Sequence, residues 1–183
     1  HPWNADAHHK LGVIAHRNGN IELAENLIVQ SVSLNPSSSQ AYFDLGAALQ
    51  DLRKFRAAIT NYQKALNLKK DYPEAHNNMG VAYRELGQVE NATECYKTAI
   101  ATQPNYAAAH SNLGETLRAL GRLDEAVTHS KKAVQIQPDL AEAHNTLGVA
   151  LRDRQRGEEA IASFRNALHI NPKYPEAHRN LAS

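Results

Sequence analysis

The chain has 183 residues, a formal net charge of +1, 42% hydrophobic residues and 21% charged ones, which is ordinary globular composition. Twenty Lys+Arg against 19 Asp+Glu leave no basic excess to displace counterions from nucleic acid, and none to hold a helix on an anionic membrane surface. No apolar run approaches the roughly 18 residues of a membrane span, and Cys95 stands alone, which excludes an internal disulfide framework or a Cys-rich metal site. A lone thiol fits a reducing, cytoplasmic setting. The chain opens at His1 with no signal-peptide pattern and reads as a segment of a longer protein.

Glycines 12, 46, 80, 114 and 148 are spaced by steps of 34 residues. A large apolar residue precedes each: Leu11, Leu45, Met79, Leu113 and Leu147. Twelve residues after each glycine stands an alanine (Ala24, Ala58, Ala92, Ala126, Ala160). Nineteen after stand Ser31, Ala65, Ala99, Ala133 and Ala167, and 24 after stand Pro36, Lys70, Pro104, Pro138 and Pro172. Internal repetition on this scale dictates the architecture.

The units are 5–38, 39–72, 73–106, 107–140 and 141–174, with a sixth opening at Pro175. Each reads as two helices, A and B. In the third, helix A is predicted from Glu74 to Leu86, Gly87-Gln88 is the turn, and helix B runs from Val89 to Thr102. Ala75, Met79, Ala82, Tyr83 and Leu86 recur at helical spacing in A, as do Ala92, Tyr96, Ala99 and Ile100 in B. Gly and Ala at fixed positions let the two helices approach closely. Pro104 ends helix B by biasing Gln103 away from helical angles. One such hairpin cannot bury its own apolar face, so the units stack into an all-α solenoid of antiparallel helix pairs forming a single domain over residues 1–183. The sixth unit carries Ala177 and Leu181 but no helix B, which predicts an uncapped, sticky outer face, filled by more chain in the parent protein or, on a competing reading, by self-association.

These residues resemble the tetratricopeptide repeat: a Leu-Gly pair, an alanine, an aromatic four residues on, a second small residue and a terminal proline. The stretch Ala75-His76-Asn77-Asn78-Met79-Gly80-Val81-Ala82-Tyr83 is close to that family's helix A, and the resemblance covers residues 5–183. It implies a right-handed superhelix that binds a protein or peptide partner on its concave inner face. The sequence departs from the pattern in places. The fourth repeat position, usually Trp, is His8, Tyr42, His76, His110, His144 and His178. Lys70 replaces a proline, which predicts a longer helix B in the second unit. Arg53 and Gln155 replace the turn glycine seen at Gly19, Gly87 and Gly121, which predicts strain there. Ser130 replaces the aromatic of Tyr62, Tyr96 and Phe164.

The phrases around Asn112 and Asn145 are also similar to the repeat arms of O-linked N-acetylglucosamine transferases. That resemblance implies an asparagine ladder clamping the backbone of an extended substrate, and a transferase domain outside this segment. The matching positions are Asn78, Asn112 and Asn180, interrupted by Lys10, Asp44 and Thr146. Family inner-face positions also bring in Asn77 and Asn145, with an arginine ladder of Arg84, Arg118 and Arg152. An Asn amide can donate to and accept from one peptide group, and Arg adds bidentate contacts to carboxylates. The competing reading makes these solvated residues, with Arg84 and Arg118 pairing to neighbouring acids. The family's chaperone-binding clamp needs a Lys at the fifth repeat position, and no unit has one.

No enzyme is visible. The ten histidines invite a metal, but the five at the fourth repeat position lie about 10 Å apart by helix spacing, too far to share an ion, so no metal or other cofactor is expected. Cys95 reads as a small packing hydrophobe, and no nucleophile elbow or Gly-rich phosphate loop occurs.

Overall fold

The computed structural model describes residues 4–182, and its elements are eleven α-helices. The chain divides into two compact units, residues 1–95 and 96–183, the division falling between Cys95 and Tyr96.

The first unit holds α1 (Ala5–Arg17), α2 (Ile21–Leu34), α3 (Ser39–Asp51), α4 (Phe55–Leu68), α5 (Pro73–Glu85) and the first half of α6 (Val89–Thr102). The second holds the rest of α6, then α7 (Ala107–Ala119), α8 (Leu123–Ile136), α9 (Ala141–Asp153), α10 (Gly157–Ile170) and α11 (Pro175–Ala182). Odd-numbered helices are the A helices of the sequence repeat and even-numbered ones the B helices. In the third repeat, helix A begins one residue earlier than the sequence suggests, because Pro73 takes the first helical position, where its missing N–H costs nothing.

Four B helices each pack both on their own A helix and on the A helix that follows: α2 on α1 and α3, α4 on α3 and α5, α8 on α7 and α9, α10 on α9 and α11. Successive A helices touch directly, α1 with α3 and α3 with α5, then α7 with α9 and α9 with α11. This is the all-α stack of antiparallel hairpins that the periodicity demands.

The small-residue columns set the close approach. Ala58 and Ala65 of α4 and Ala133 of α8 are fully buried, as are Tyr62 and Phe164. A Cβ placed on Gly46 would lie 2.6 Å from the Tyr62 ring, and one on Gly148 would lie 2.5 Å from the Phe164 ring. Gly46 and Gly148 are therefore sockets for the B-helix aromatic, and Gly12 is the same socket for Ile28. In the fourth repeat the socket of Gly114 meets only Ser130, whose buried Oγ has no hydrogen-bond partner.

The core of the first unit runs through Ile28, Leu45, Tyr62, Leu66, Tyr72, Met79 and Cys95, with Phe43 tilted against the rings of Tyr62 and Tyr72 at 5.8 and 4.9 Å. In the second unit Leu113, Leu117, Leu151 and Phe164 are buried. Cys95 is a packing residue: burial, helped by the nearby Glu94 charge, pushes its thiol up to about 11.

The strained turns are as the sequence predicts. Arg53 and Gln155 adopt φ of 58° and 60°, the left-handed conformation that Gly19, Gly87 and Gly121 adopt in the other hairpins. Tertiary packing fixes the turn, and the side chain has to accept it.

The expected extension of the second B helix does not occur. Helix α4 stops at Leu68, the same repeat position at which α2 stops at Leu34 and α8 at Ile136. Lys69 turns out to extended angles (φ −138°, ψ 98°) just as Asn35, Gln137 and Asn171 do. The Lys70 carbonyl is instead claimed by the Tyr72 N–H at 3.0 Å and by the His76 ring. Proline at this position is therefore not what ends the helix.

Candidate functional site

Four of the histidines at the fourth repeat position share one task; the fifth, His8, instead places Nδ1 2.9 Å from the Asn4 carbonyl at the start of α1. Nε2 of His110, His144 and His178 reaches the carbonyl of Pro104, Pro138 and Pro172, six residues upstream, at 3.1, 2.9 and 2.8 Å. His76 makes the equivalent bond to Lys70. Each ring N–H satisfies a carbonyl left over beyond the end of the preceding B helix and ties the inter-repeat turn to the next A helix. These four histidines are seam residues. Among the described residues no group of three or more His, Cys, Asp or Glu side chains could hold a metal ion.

A second pattern, absent from the sequence reading, organises the A-helix faces. Polar side chains pair across successive repeats at a spacing of one repeat plus one residue. In the first unit His9 Nε2 lies 2.7 Å from Asp44 Oδ2, and His16 Nε2 lies 2.7 Å from Asp51 Oδ2, joining α1 to α3 at two levels. Gln40 donates to Asp44 and accepts from the Tyr72 hydroxyl at 2.8 Å. In the second unit Ser111 Oγ donates to Thr146 Oγ1 at 3.4 Å, and Arg118 Nη1 donates to Asp153 Oδ2 at 3.0 Å. Between α9 and α11, Asn180 Nδ2 donates to Asn145 Oδ1 at 2.9 Å. The 34-residue period, shifted by one, carries complementary residue types. That is the signal by which these pairs could have been found.

The structure distributes the expected site residues over these seams. On α5, Asn77 is buried and donates to the Asn78 side-chain oxygen at 3.2 Å, and Asn78 bonds in turn to the Tyr62 hydroxyl. Burial among these groups raises the Tyr62 phenol well above its ordinary value. Arg84 and Asn112 sit half-buried on α5 and α7, each engaged with a neighbour. Arg118 is held by Asp153, as the competing reading has it. Arg152 donates to Asn180 Oδ1 at 3.4 Å and lies over the Phe164 ring at 5.9 Å.

Two of the residues, Arg118 and Asn145, come together. With Glu115, Thr146 and Val149 they line a pocket of about 60 Å³ between α7 and α9. That space suits a carboxamide or a couple of waters better than a side chain of any size. Around it stand donors and acceptors of both kinds, which is the equipment for reading a polypeptide backbone. Asn145 also bonds to Tyr174, whose phenol burial and nearby Glu142 raise.

Stacked A/B hairpins, sockets of glycine facing an aromatic, and polar seams linking successive A helices define a helical-repeat protein of the solenoid class. Family models described as TPR repeat match residues 54–87 and 148–183, and models described as tetratricopeptide repeat match 71–139 and 5–38. The chain belongs to the tetratricopeptide repeat proteins. A sequence comparison with curated proteins finds no match. Similar solved structures include a tetratricopeptide repeat protein of Thermus thermophilus, with 24% identity, 98% of this chain and 97% of that one covered, and a TM-score of 0.79. MamA from Desulfovibrio magneticus RS-1 has 20% identity, 93% and 97% coverage and a TM-score of 0.79. YrrB, described as a repeat protein with an unusual peptide-binding site, has 20% identity, 99% and 93% coverage and a TM-score of 0.73. At these identities the likeness is one of fold. Among the described residues no helix is long and apolar enough to cross a membrane.

Proposed function

We propose that this chain is a protein-interaction scaffold that holds an extended peptide or protein segment along the A-helix faces of its repeats, and that it acts by binding, without catalysis of its own. The observation that carries the proposal is the pocket between α7 and α9, where Arg118 and Asn145 meet Glu115 and Thr146. Amides and hydroxyls there can trade their bonds to one another for bonds to a peptide backbone at little net cost, since both states are hydrogen-bonded. Arginines on the same face offer planar donors to acidic side chains of the ligand. A cytoplasmic setting, in which Cys95 stays a thiol, is part of the proposal. The structurally similar YrrB is described as having a peptide-binding site, which supports the reading by analogy of fold.

The test is an array of unstructured peptides probed with the wild-type chain and with Asn112→Ala/Asn145→Ala. The double variant should lose roughly fivefold or more in affinity for each backbone bond removed, about 1 kcal/mol apiece. Circular dichroism melts of the variant separate that loss from unfolding. Undiminished affinity in a folded double variant would remove the backbone-clamp mechanism, and failure of every peptide to bind would remove the scaffold reading.

A further inference from the structure

The turn that joins α3 to α4 carries a second surface, which shares no residue with the pocket between α7 and α9 and does not depend on the extended-peptide reading. Arg53, Lys54, Phe55, Arg56 and Ala57 line an open cavity of about 420 Å³ together with Leu86, which follows the last residue of α5. The lining is largely apolar, and Phe55 and Leu86, both half-buried, supply its large side chains. The volume lies near the small end of the range for ligand pockets, which suits one large side chain better than a folded surface.

The charge at this cavity departs from the rest of the repeat. The second residue of the B helix is acidic in the other repeats, as Glu22, Glu90, Asp124 and Glu158, and an acid there complements the helix dipole. In α4 it is Arg56, and no acid stands in the first turn. Arg56 is exposed, and its guanidinium forms no ion pair or hydrogen bond with any described residue. Helix stability favours an acid at this position, so the fold gives no reason for Arg56. The second unit shows the same place closed. There Asp124, the equivalent of Arg56, meets Arg154, the equivalent of Leu86, at 2.7 Å. In the first unit Arg56 has no carboxylate, and Leu86 leaves the space open and apolar. Lys54 is engaged by Glu25 at 2.7 Å, whereas Arg53 holds Glu85 only at 3.7 Å with its side chain 76% exposed. Between Asp51 and Asp71 the chain carries six basic residues and no acid, so the field over the turn is positive.

We propose that this cavity docks a short acidic linear segment of a partner protein, in which one large apolar side chain is flanked by carboxylates. The apolar side chain lies between Phe55 and Leu86. The carboxylates pair with Arg56 and Arg53, whose planar guanidinium groups can each donate two parallel hydrogen bonds to a carboxylate. The ligand thus supplies to Arg56 the carboxylate that the second unit supplies to Arg154 from its own chain. Burial of the apolar side chain gives affinity, and the flanking charges select the partner.

The test is fluorescence anisotropy at low salt with short labelled peptides built around one central phenylalanine. A peptide with flanking glutamates should bind at least about tenfold more tightly than one with flanking lysines, a preference that salt weakens. Replacing the phenylalanine of the glutamate peptide by alanine should abolish its binding. Arg56→Asp introduces the residue type that starts the other B helices, so α4 keeps its fold, and affinity for the glutamate peptide should fall about tenfold. Arg56→Asp/Leu86→Arg copies the Asp124–Arg154 pair into the first unit and should abolish binding in a chain that circular dichroism shows to be folded. Equal affinity for the glutamate and lysine peptides, or undiminished binding to Arg56→Asp, would overturn the proposal. So would loss of glutamate-peptide binding in Asn112→Ala/Asn145→Ala, because the peptide would then lie on the A-helix faces. Sedimentation showing a dimer of this chain that Arg56→Asp dissolves would also overturn it, because the acidic group would then come from a second copy.

Discussion

The Nδ1 atoms of His110 and His129 lie 3.0 Å apart across the α7–α8 hairpin, their rings stacked at 5.2 Å. His110 donates Nε2–H to Pro104, so its Nδ1 offers a lone pair, and His129 must supply the shared proton. The spacing suits one proton and is too short for two. Burial depresses both groups below the ordinary histidine value; on His110 the bond to the Pro104 carbonyl opposes this and Lys132 adds to it, and on His129 the His110 ring, Arg122 and Lys97 add to it while Glu125 opposes.

The sign of the pH effect follows. In the unfolded chain these imidazoles protonate near pH 6.5, whereas in the native state they resist. Below that value the unfolded state binds more protons, so the stability contributed is complete above about 6.5 and is lost as the pH falls toward the depressed native values. His76, also depressed by burial, adds to the effect. The urea midpoint should therefore drop between about pH 7.5 and about pH 5, above the main carboxylate titrations, and His129→Gln should flatten that dependence. An equal drop in the variant would assign the acid sensitivity to other groups.

Gly148→Ala should destabilise the chain by about 1–3 kcal/mol, the usual cost of overpacking. Its new Cβ would stand 2.5 Å from a ring carbon of Phe164, which is only 1% exposed and has little room to give. Thermal unfolding of the variant checks this. An unchanged melting temperature would mean that the Phe164 ring can withdraw and that the socket is not tight.

Gln155→Gly should do the opposite. At φ 60° a side chain costs about 1–2 kcal/mol, and glycine's own entropic cost of about 0.5–1 kcal/mol takes back part of the relief. A net gain of a few tenths to about 1 kcal/mol is expected, read as a raised denaturation midpoint. Arg53→Gly should gain less, because Arg53 pairs with Glu85 at 3.7 Å and lies over the Phe55 ring at 5.3 Å. Greater stabilisation at Arg53 than at Gln155 would contradict this account.

Much of the architecture is legible in the residues because a repeat states each constraint five times. The Leu-Gly pairs, the alanine columns and the turn positions place every helix, and the left-handed turns at Arg53 and Gln155 follow from the glycines they replace. The end of α4 departs from the sequence expectation for a physical reason. Proline marks the repeat position but does not cause the stop, since Lys69 leaves the helix with no proline following it, and His76 claims the exposed carbonyl. The surface is harder to read. Asn145 and Arg118 fit a binding ladder and a structural seam equally well until their partners, Asn180 and Asp153, are seen beside them.

By itself the sequence determined the tetratricopeptide class, the hairpin boundaries and the residues buried between helices, because helical spacing and small-residue columns act through local geometry repeated along the chain. Only the tertiary structure decided which polar groups are spent. His9 on Asp44, Arg118 on Asp153 and Asn145 on Asn180 are pairs 35 residues apart, formed when one hairpin settles on the next. Arg56 is left with a charge that no described residue answers, where its equivalent Asp124 meets Arg154. Hydrogen bonding and ion pairing are contests for partners, and proximity in the folded chain settles them.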